Sequence, residues 1–308
     1  MKHPVDSLED AIAGTSHDFP GGIRTLAEKM SVNPGTLYNK CNPGMPSHRL
    51  TLQEAVDLMH HSQDVRILEV LCRETHHACV PQARFRHIGD MVLFDAWTAA
   101  DMEHGRTAGS IREALSDERI DENEYRGICA EMFTDFAREL ELLDRLNAFC
   151  NNASRQQPPV STDLKQAVLE TVQKYPDGLP RLAQKLGMRE VDLHKKSSPD
   201  FPGECLSIQD TLKLMLETGN FPVLHAAAHF LKHACIPIPR YEGENDMALL
   251  DAWSSWSDER GDTVTVIHQA LTDGSIDQKE LAEIEVEMYR DFETELALLA
   301  RLELMVQR

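Results

Sequence analysis

Shifted by 156 residues, the chain aligns with itself along its length without a single insertion. The stretch "AWTAADMEHGRTAGSIREALSDERIDENEYRGICAEMFTDFARELELLDRL" meets "AWSSWSDERGDTVTVIHQALTDGSIDQKELAEIEVEMYRDFETELALLARL", so that Trp97 falls on Trp253 and Phe136 on Phe292. Toward the N-terminus the same shift brings Leu26-Ala27 onto Leu182-Ala183, Leu50 onto Leu206, Met59 onto Met215 and "HACVP" onto "HACIP". A unit this long, with its own beginning and end, is a tandem domain duplication and not a solenoid repeat of a few dozen residues. The chain must therefore build one fold twice, over residues 1–150 and 163–308. Between them "CNNASRQQPPVST", Cys150 to Thr162, is polar with a proline pair and is expected to be an exposed, partly extended linker over 151–162.

With 308 residues, 42 % hydrophobic and 27 % charged, both copies can bury a core, which excludes a largely disordered chain. The N-terminal "MKHPVDSLEDAIAG" has no signal-peptide pattern, and no run approaches the ~18 apolar residues of a membrane span. A cytoplasmic protein without membrane contact is expected. Seven cysteines at irregular spacing, with no CxxC pair, point to reduced thiols instead of a disulfide framework.

Apolar residues recur at spacings of three and four throughout each copy, and no segment alternates long enough to predict a strand. The expected class is all-α. The first copy predicts helices near Ser7–Ser16, a pair across Leu26–Gly44, then Thr51–His60 and Val65–His77. Beyond Pro81 come longer elements: Asp90–His104, a short one at Ser110–Ser116, and a dominant tail helix from Glu122 to about Cys150. Asp121 and Glu124 predict a capping box at its start, with Ile120 placed to staple onto Tyr125; Ile276, Asp277 and Glu280 repeat most of this signal. Along the helix, Ile128, Met132, Phe136, Leu140, Leu143 and Leu146 form an apolar stripe that must meet another helix or another chain. Met132, Phe136, Leu140, Leu143 and their counterparts Met288, Phe292, Leu296 and Leu299 are thus expected to mediate self-association into a homo-oligomer.

The segment "LAEKMSVNPGTLYNKCNPG" has the spacing of a helix-turn-helix. Ala27 is small where two helices would cross, Met30, Val32 and Leu37 are apolar anchors, and Asn33 with Pro34 suits a helix restart. Ser31 stands where a turn glycine is common, and Lys40 where an inward apolar residue is usual, a contact Cys41 can supply instead. The second copy, "LAQKLGMREVDLHKKSSPD", has Gly187 at the turn but places Glu190 and Asp192 on the would-be recognition helix. Candidates for base or phosphate contact are Asn33, Thr36, Tyr38, Asn39, Lys40 and Arg49 in the first copy. In the second they are Arg189, His194, Lys195 and Lys196. Asn can bond adenine at two atoms, and Lys or a helix N-terminus can hold phosphate.

These segments carry a specific resemblance. "HDFPGG", "PGTLYNKCNP" and "SHRLTLQEA" resemble the regulatory CII family of P2-like temperate phages, whose members carry "PGTLSNKVNP" and "HxLTLxEA" type segments. The matching residues run from Phe19 to Gly22, then Pro34 to Leu37, Asn39-Lys40, Asn42-Pro43, His48, Leu50 to Leu52 and Glu54-Ala55. The second copy keeps the hydrophobic skeleton but has Lys195, Ser198 and Glu204 in place of Asn39, Asn42 and His48. The resemblance implies a transcriptional regulator of the lysis–lysogeny choice, with double-stranded DNA-binding heads and self-associating helical tails.

A formal charge of -20 is at odds with a DNA partner. Its distribution resolves part of the conflict: residues 1–75 sum to -3 and residues 160–231 to -1, leaving -16 for the tails and linker. Near-neutral heads can still carry a local positive footprint from Arg24, Lys29, Lys40 and Arg49. The rival expectation is an acidic interaction factor that sequesters a host regulator, RNA polymerase or a defence protein.

Other constellations point elsewhere. "CRETHHACVP" offers Cys72, His76, His77 and Cys79 at zinc-like spacing, but the second copy replaces Cys72 with Ala228 while placing His225, His229 and His233 four apart, so no shared structural metal is expected. No phosphate loop, GxSxG or HExxH appears, and Asp95 and Asp251 read as helix acids, so neither catalysis nor a cofactor is expected.

Overall fold

The computed structural model describes residues 7–82, 90–117, 119–153, 164–239 and 246–306. In the first copy the helices are α1 (Leu8–His17), α2 (Gly22–Lys29), α3 (Pro34–Cys41), α4 (Leu52–Ser62) and α5 (Arg66–Glu74), followed by strand β1 (His77–Pro81) and the long helices α6 (Asp90–Ala114) and α7 (Glu122–Ala153). The second copy repeats the order as α8 (Leu164–Gln173), α9 (Gly178–Leu186), α10 (Glu190–Ser197), α11 (Ile208–Thr218), α12 (Pro222–Phe230), β2 (His233–Pro237), α13 (Asp246–Ala270) and α14 (Gln278–Val306). The fold is all-α, built twice.

The repeat and the compact unit divide the chain differently. One unit joins the two heads, residues 1–79 and 160–235; the other joins the two tails, residues 80–159 and 236–308.

In the head unit the two copies meet through equivalent residues. Thr51 and Ser207, 156 apart, form an isolated antiparallel bridge, in which the Leu52 N–H donates to the Leu206 carbonyl at 3.0 Å and the Ile208 N–H to the Leu50 carbonyl at 3.0 Å. Helix α5 packs on α12, its counterpart, and β1 pairs with β2. Such equivalent-to-equivalent contacts are what a two-fold isologous interface makes between subunits. Here one chain makes them with itself. A single apolar core runs through both heads, including Leu26, Leu37, Leu50, Met59 and Ile67 from the first and Leu182, Leu193, Leu206 and Met215 from the second.

The tail unit is a set of four long helices in which α6 lies along α7, α13 along α14, and α7 against α14. Phe136 and Phe292, again 156 apart, meet edge-to-face with ring centroids 5.2 Å apart. The capping boxes at both starts are present: the Glu124 N–H donates to Asp121 Oδ1 and the Asp121 N–H to Glu124 Oε2, with Asp277 and Glu280 doing the same.

Five elements differ from the sequence expectation. The separate helices expected at Asp90–His104 and Ser110–Ser116 are one helix, α6, closed by a 3-10 turn at Leu115–Asp117. Gly105 and Gly109 each cost roughly 1 kcal/mol in a helix interior, but buried Ala100, Thr107, Ile111 and Ala114 continue one face through them. Tertiary burial outweighs local propensity. The fifth helix stops at Glu74, short of the expected His77, because His76 takes a left-handed backbone (φ 55°) and turns the chain into β1. The two five-residue strands were not foreseen, since "HACVP" and "HACIP" are too short to show alternation. Helix α7 extends to Ala153, into the start of the expected linker, whose residues 154–162 lie outside those described.

Candidate nucleic-acid interface

Helices α2 and α3 span the segment expected to be a helix-turn-helix, and they pack on each other across a short turn. Leu26 and Ala27 are fully buried at the crossing, with Leu37 and Cys41 facing inward from α3. Ser31 adopts φ 56°, the left-handed conformation that Gly187 takes with φ 73° in the second head. The turn therefore demands the geometry of glycine whether or not glycine is there. Asn33 caps α3: its side chain accepts the Thr36 N–H at 3.1 Å, and Pro34 occupies the first helical position.

These bonds sort the expected contact residues. Asn33 spends its oxygen on the cap, so its role is to set the start of α3. Thr36 and Tyr38 are exposed and Asn39 is half-buried, leaving them on the outer side of α3, opposite Leu37 and Cys41. Lys40 is turned back into the protein, its Nζ 2.7 Å from both oxygens of Glu54. Burial alone would raise the Glu54 carboxyl; Lys40 and the Thr51 bonds outweigh it and hold the group below its ordinary value. Glu54 also completes the capping box of α4 with Thr51, so Lys40 ties α3 to α4. The departure noted at position 40 thus has a structural reason: an apolar contact is replaced by an ion pair. Arg49 lies 3.6 Å from Asp210, on the line where the heads meet, and its Nε donates to the Pro46 carbonyl at 3.3 Å. Helix α3 itself carries no acidic residue, and α2 contributes exposed Arg24 and Lys29 with one exposed acid, Glu28.

The second head has the same backbone and a different surface. Arg189 stands at the N-cap of α10 without a side-chain capping bond, and its guanidinium grips Asp192 in a two-pronged pair at 2.7 and 2.8 Å. That pair holds the Asp192 carboxyl below its usual range. Glu190 and Asp192 occupy the first turn, where free N–H groups would otherwise attract phosphate, so the helix start is already electrostatically satisfied. His194 and Lys195 are exposed and Lys196 half-buried toward the helix end.

The eight stripe residues all lie in the core of the tail unit. Met132, Phe136, Leu140, Met288, Phe292 and Leu296 are completely buried, and Leu143 and Leu299 nearly so. In the tail unit α7 and α14 pack on α6 and α13 and on each other, so helices of one chain cover this stripe.

The zinc-like run does not gather as a ligand set among the described residues. His76 is exposed, and His77 is buried with Nδ1 2.8 Å from the Thr75 carbonyl. Cys72 instead meets Cys235, the counterpart of Cys79, at 3.1 Å; that neighbouring sulfur and burial push its thiol up. What the sequence reading missed lies in the tails: Asp135 and Glu139, with Asp291 and Glu295, are completely buried in the four-helix unit. The available signal was four acids at helical spacing, recurring in both copies directly beside stripe residues.

Among the described residues no helix is long and apolar enough to cross a membrane. No curated protein and no solved structure matches the chain. The family model of the phage regulatory protein CII (CP76) matches it twice, over residues 6–148 and 162–305, which are the two copies of the duplication. Together these matches span nearly the whole sequence, and the chain belongs to the phage regulatory protein CII family.

Proposed function

We propose that this regulator binds operator DNA with a helix-turn-helix in each head, and that one chain supplies the paired readers that a single-copy protein would have to obtain by dimerising. The observation that carries this reading is the pairing of equivalent residues, Thr51 with Ser207 in the heads and Phe136 with Phe292 in the tails. Two-fold pairing of heads is the geometry with which helix-turn-helix proteins meet inverted half-sites. Assembly beyond one chain, expected from the tail stripe, is not needed to bring two heads together.

In this reading the first head is the principal reader. Thr36, Tyr38 and Asn39 face the bases, Arg24 and Lys29 hold phosphate, and Asn33 and Lys40 position α3. The second head is the weaker partner, with Lys195 and Lys196 making phosphate contacts, Arg189 neutralised by Asp192, and His194 beside them. The operator is then asymmetric, with one strongly and one weakly specified half. The protein acts without catalysis or a cofactor.

The acids at the start of α10 favour a second reading, in which that head docks a basic surface of a host protein, RNA polymerase among the candidates, while the first holds DNA. Selection of duplexes from a random library at low salt tests the first reading, with wild type and Tyr38→Ala/Asn39→Ala compared. Enrichment of a motif that the double variant loses supports DNA reading by α3. Folded wild-type protein that enriches no motif overturns it.

A further inference from the structure

We propose that His104, Asp135 and Glu139 form a binding site for one divalent transition-metal ion inside the tail unit, a site independent of whether the heads bind DNA. One nitrogen or oxygen ligand atom from each of the three lies within 4.8 Å of the others. Metal–ligand bonds of about 2.0–2.2 Å draw such atoms together with small side-chain movements.

The unit has a charge problem that an ion would solve. Asp135, Glu139, Asp291 and Glu295 are four completely buried carboxyls, and burying an unpaired carboxylate is expensive. The nitrogen groups that face them are the Arg260 guanidinium from α13 and the His104 imidazole from α6. Arg260 bonds Glu139, lies 3.4 Å from Asp291 and reaches Asp101 at 3.1 Å. On the other side, His104 Nδ1 is 3.4 Å from Asp135 without a hydrogen bond, and both Asp135 oxygens, Glu139 Oε2 and both Glu295 oxygens have no hydrogen-bond partner. Buried polar atoms of this kind in a native fold call for a missing water or ion.

The duplication shows how the two halves differ. His104 and Arg260 are equivalent positions, as are Asp135 with Asp291 and Glu139 with Glu295. The second copy has a guanidinium there, a fixed positive charge shared between its own Asp291 and the first copy's Glu139. The first copy has an imidazole there, which supplies a ligand and leaves the positive charge to come from outside. Nitrogen plus two carboxylates suits zinc, manganese or iron in the divalent state more than magnesium or calcium. The His104 ring packs on Trp256 with centroids 4.4 Å apart, which orients the imidazole, and its side chain is 19 % exposed, giving the ion a way in.

The test uses the full chain stripped with a chelator. Zn²⁺ and Mn²⁺ are titrated by calorimetry, with Mg²⁺ as the oxygen-preferring control. The proposal expects one equivalent bound, a rise in Tm of the loaded protein, and at least about a 100-fold loss of affinity in His104→Arg, which copies the second half-site and so preserves charge balance. Binding of equal strength in wild type and His104→Arg assigns the ion to surface histidines such as His60 and His61 and overturns the proposal. So does the absence of a bound equivalent. If His104→Arg fails to fold, Mn²⁺ added to the wild type decides: selective broadening of the Trp256 indole resonance supports the site, and a sharp Trp256 signal in manganese-saturated protein refutes it.

Discussion

Phe136 is the most direct handle on how the two copies are joined. Its ring is completely buried and meets Phe292 at a centroid distance of 5.2 Å. Truncation to alanine removes a buried aromatic and leaves a cavity, a change that costs about 3–5 kcal/mol in a packed core. For a cooperative unit of this size, that corresponds to a fall in Tm of roughly 6–20 °C. Phe292→Ala should cost a similar amount, because it occupies the equivalent place. The two losses must not add: once one ring is gone, the edge-to-face contact, worth about 0.5–1.5 kcal/mol beyond its buried area, is already lost. The assay is a double-mutant cycle on urea unfolding followed by circular dichroism. Melts repeated over a hundredfold range of protein concentration complete it. Because the contact lies within one chain, the midpoint should stay constant with dilution. Additivity within about 0.5 kcal/mol, or a midpoint that climbs with concentration, would refute intramolecular pairing and place the stripe between chains.

Three further outcomes follow from the heads. Ser31→Gly should stabilise the protein by up to about 1 kcal/mol, because the left-handed φ of 56° costs a non-glycine residue roughly 1–2 kcal/mol, offset by glycine's greater backbone entropy; Gly187→Ser should do the reverse in the same denaturation assay. Lys40→Ala should cost about 1–2 kcal/mol by leaving the half-buried Glu54 without its ammonium. Stability measured against pH should show an intact molecule losing the pair as pH falls below 4.5 through the depressed Glu54 value, a component absent from Lys40→Ala. Burial lowers the proton affinity of both His77 and His225, whose rings lie 5.9 Å apart where the heads meet. The unfolded chain therefore takes up protons first, so head stability should be complete above pH 6.5 and fall as pH drops below it, with His77→Gln reducing that slope.

The features written locally in the sequence were legible from it. Asn33-Pro34, Asp121 with Glu124, and Asp277 with Glu280 are capping signals that act within a few residues, and each appears where its spacing places it. The apolar stripe on α7 announced a burial requirement but not the identity of the partner, because periodicity reports which face is hidden and not what hides it. The continuity of α6 through Gly105 and Gly109 depends on packing along α7, a tertiary effect invisible to local propensity. Lys40 looked like a phosphate ligand because its partner Glu54 lies fourteen residues away on another helix. Likewise, the buried carboxyls Asp135 and Glu139 are ordinary helix acids in sequence, and only the convergence of α6, α7, α13 and α14 turns them into a cluster facing His104 and Arg260.

The central claim is that one chain carries a complete pair of DNA readers, and the stoichiometry of its complex with a selected duplex tests it most directly. Native mass spectrometry of that complex, at protein concentrations spanning the binding curve, should show one chain per duplex, protecting two half-sites one helical turn, or a multiple of one, apart. Two or more chains on every duplex, with no one-chain complex at any point in the titration, would contradict it.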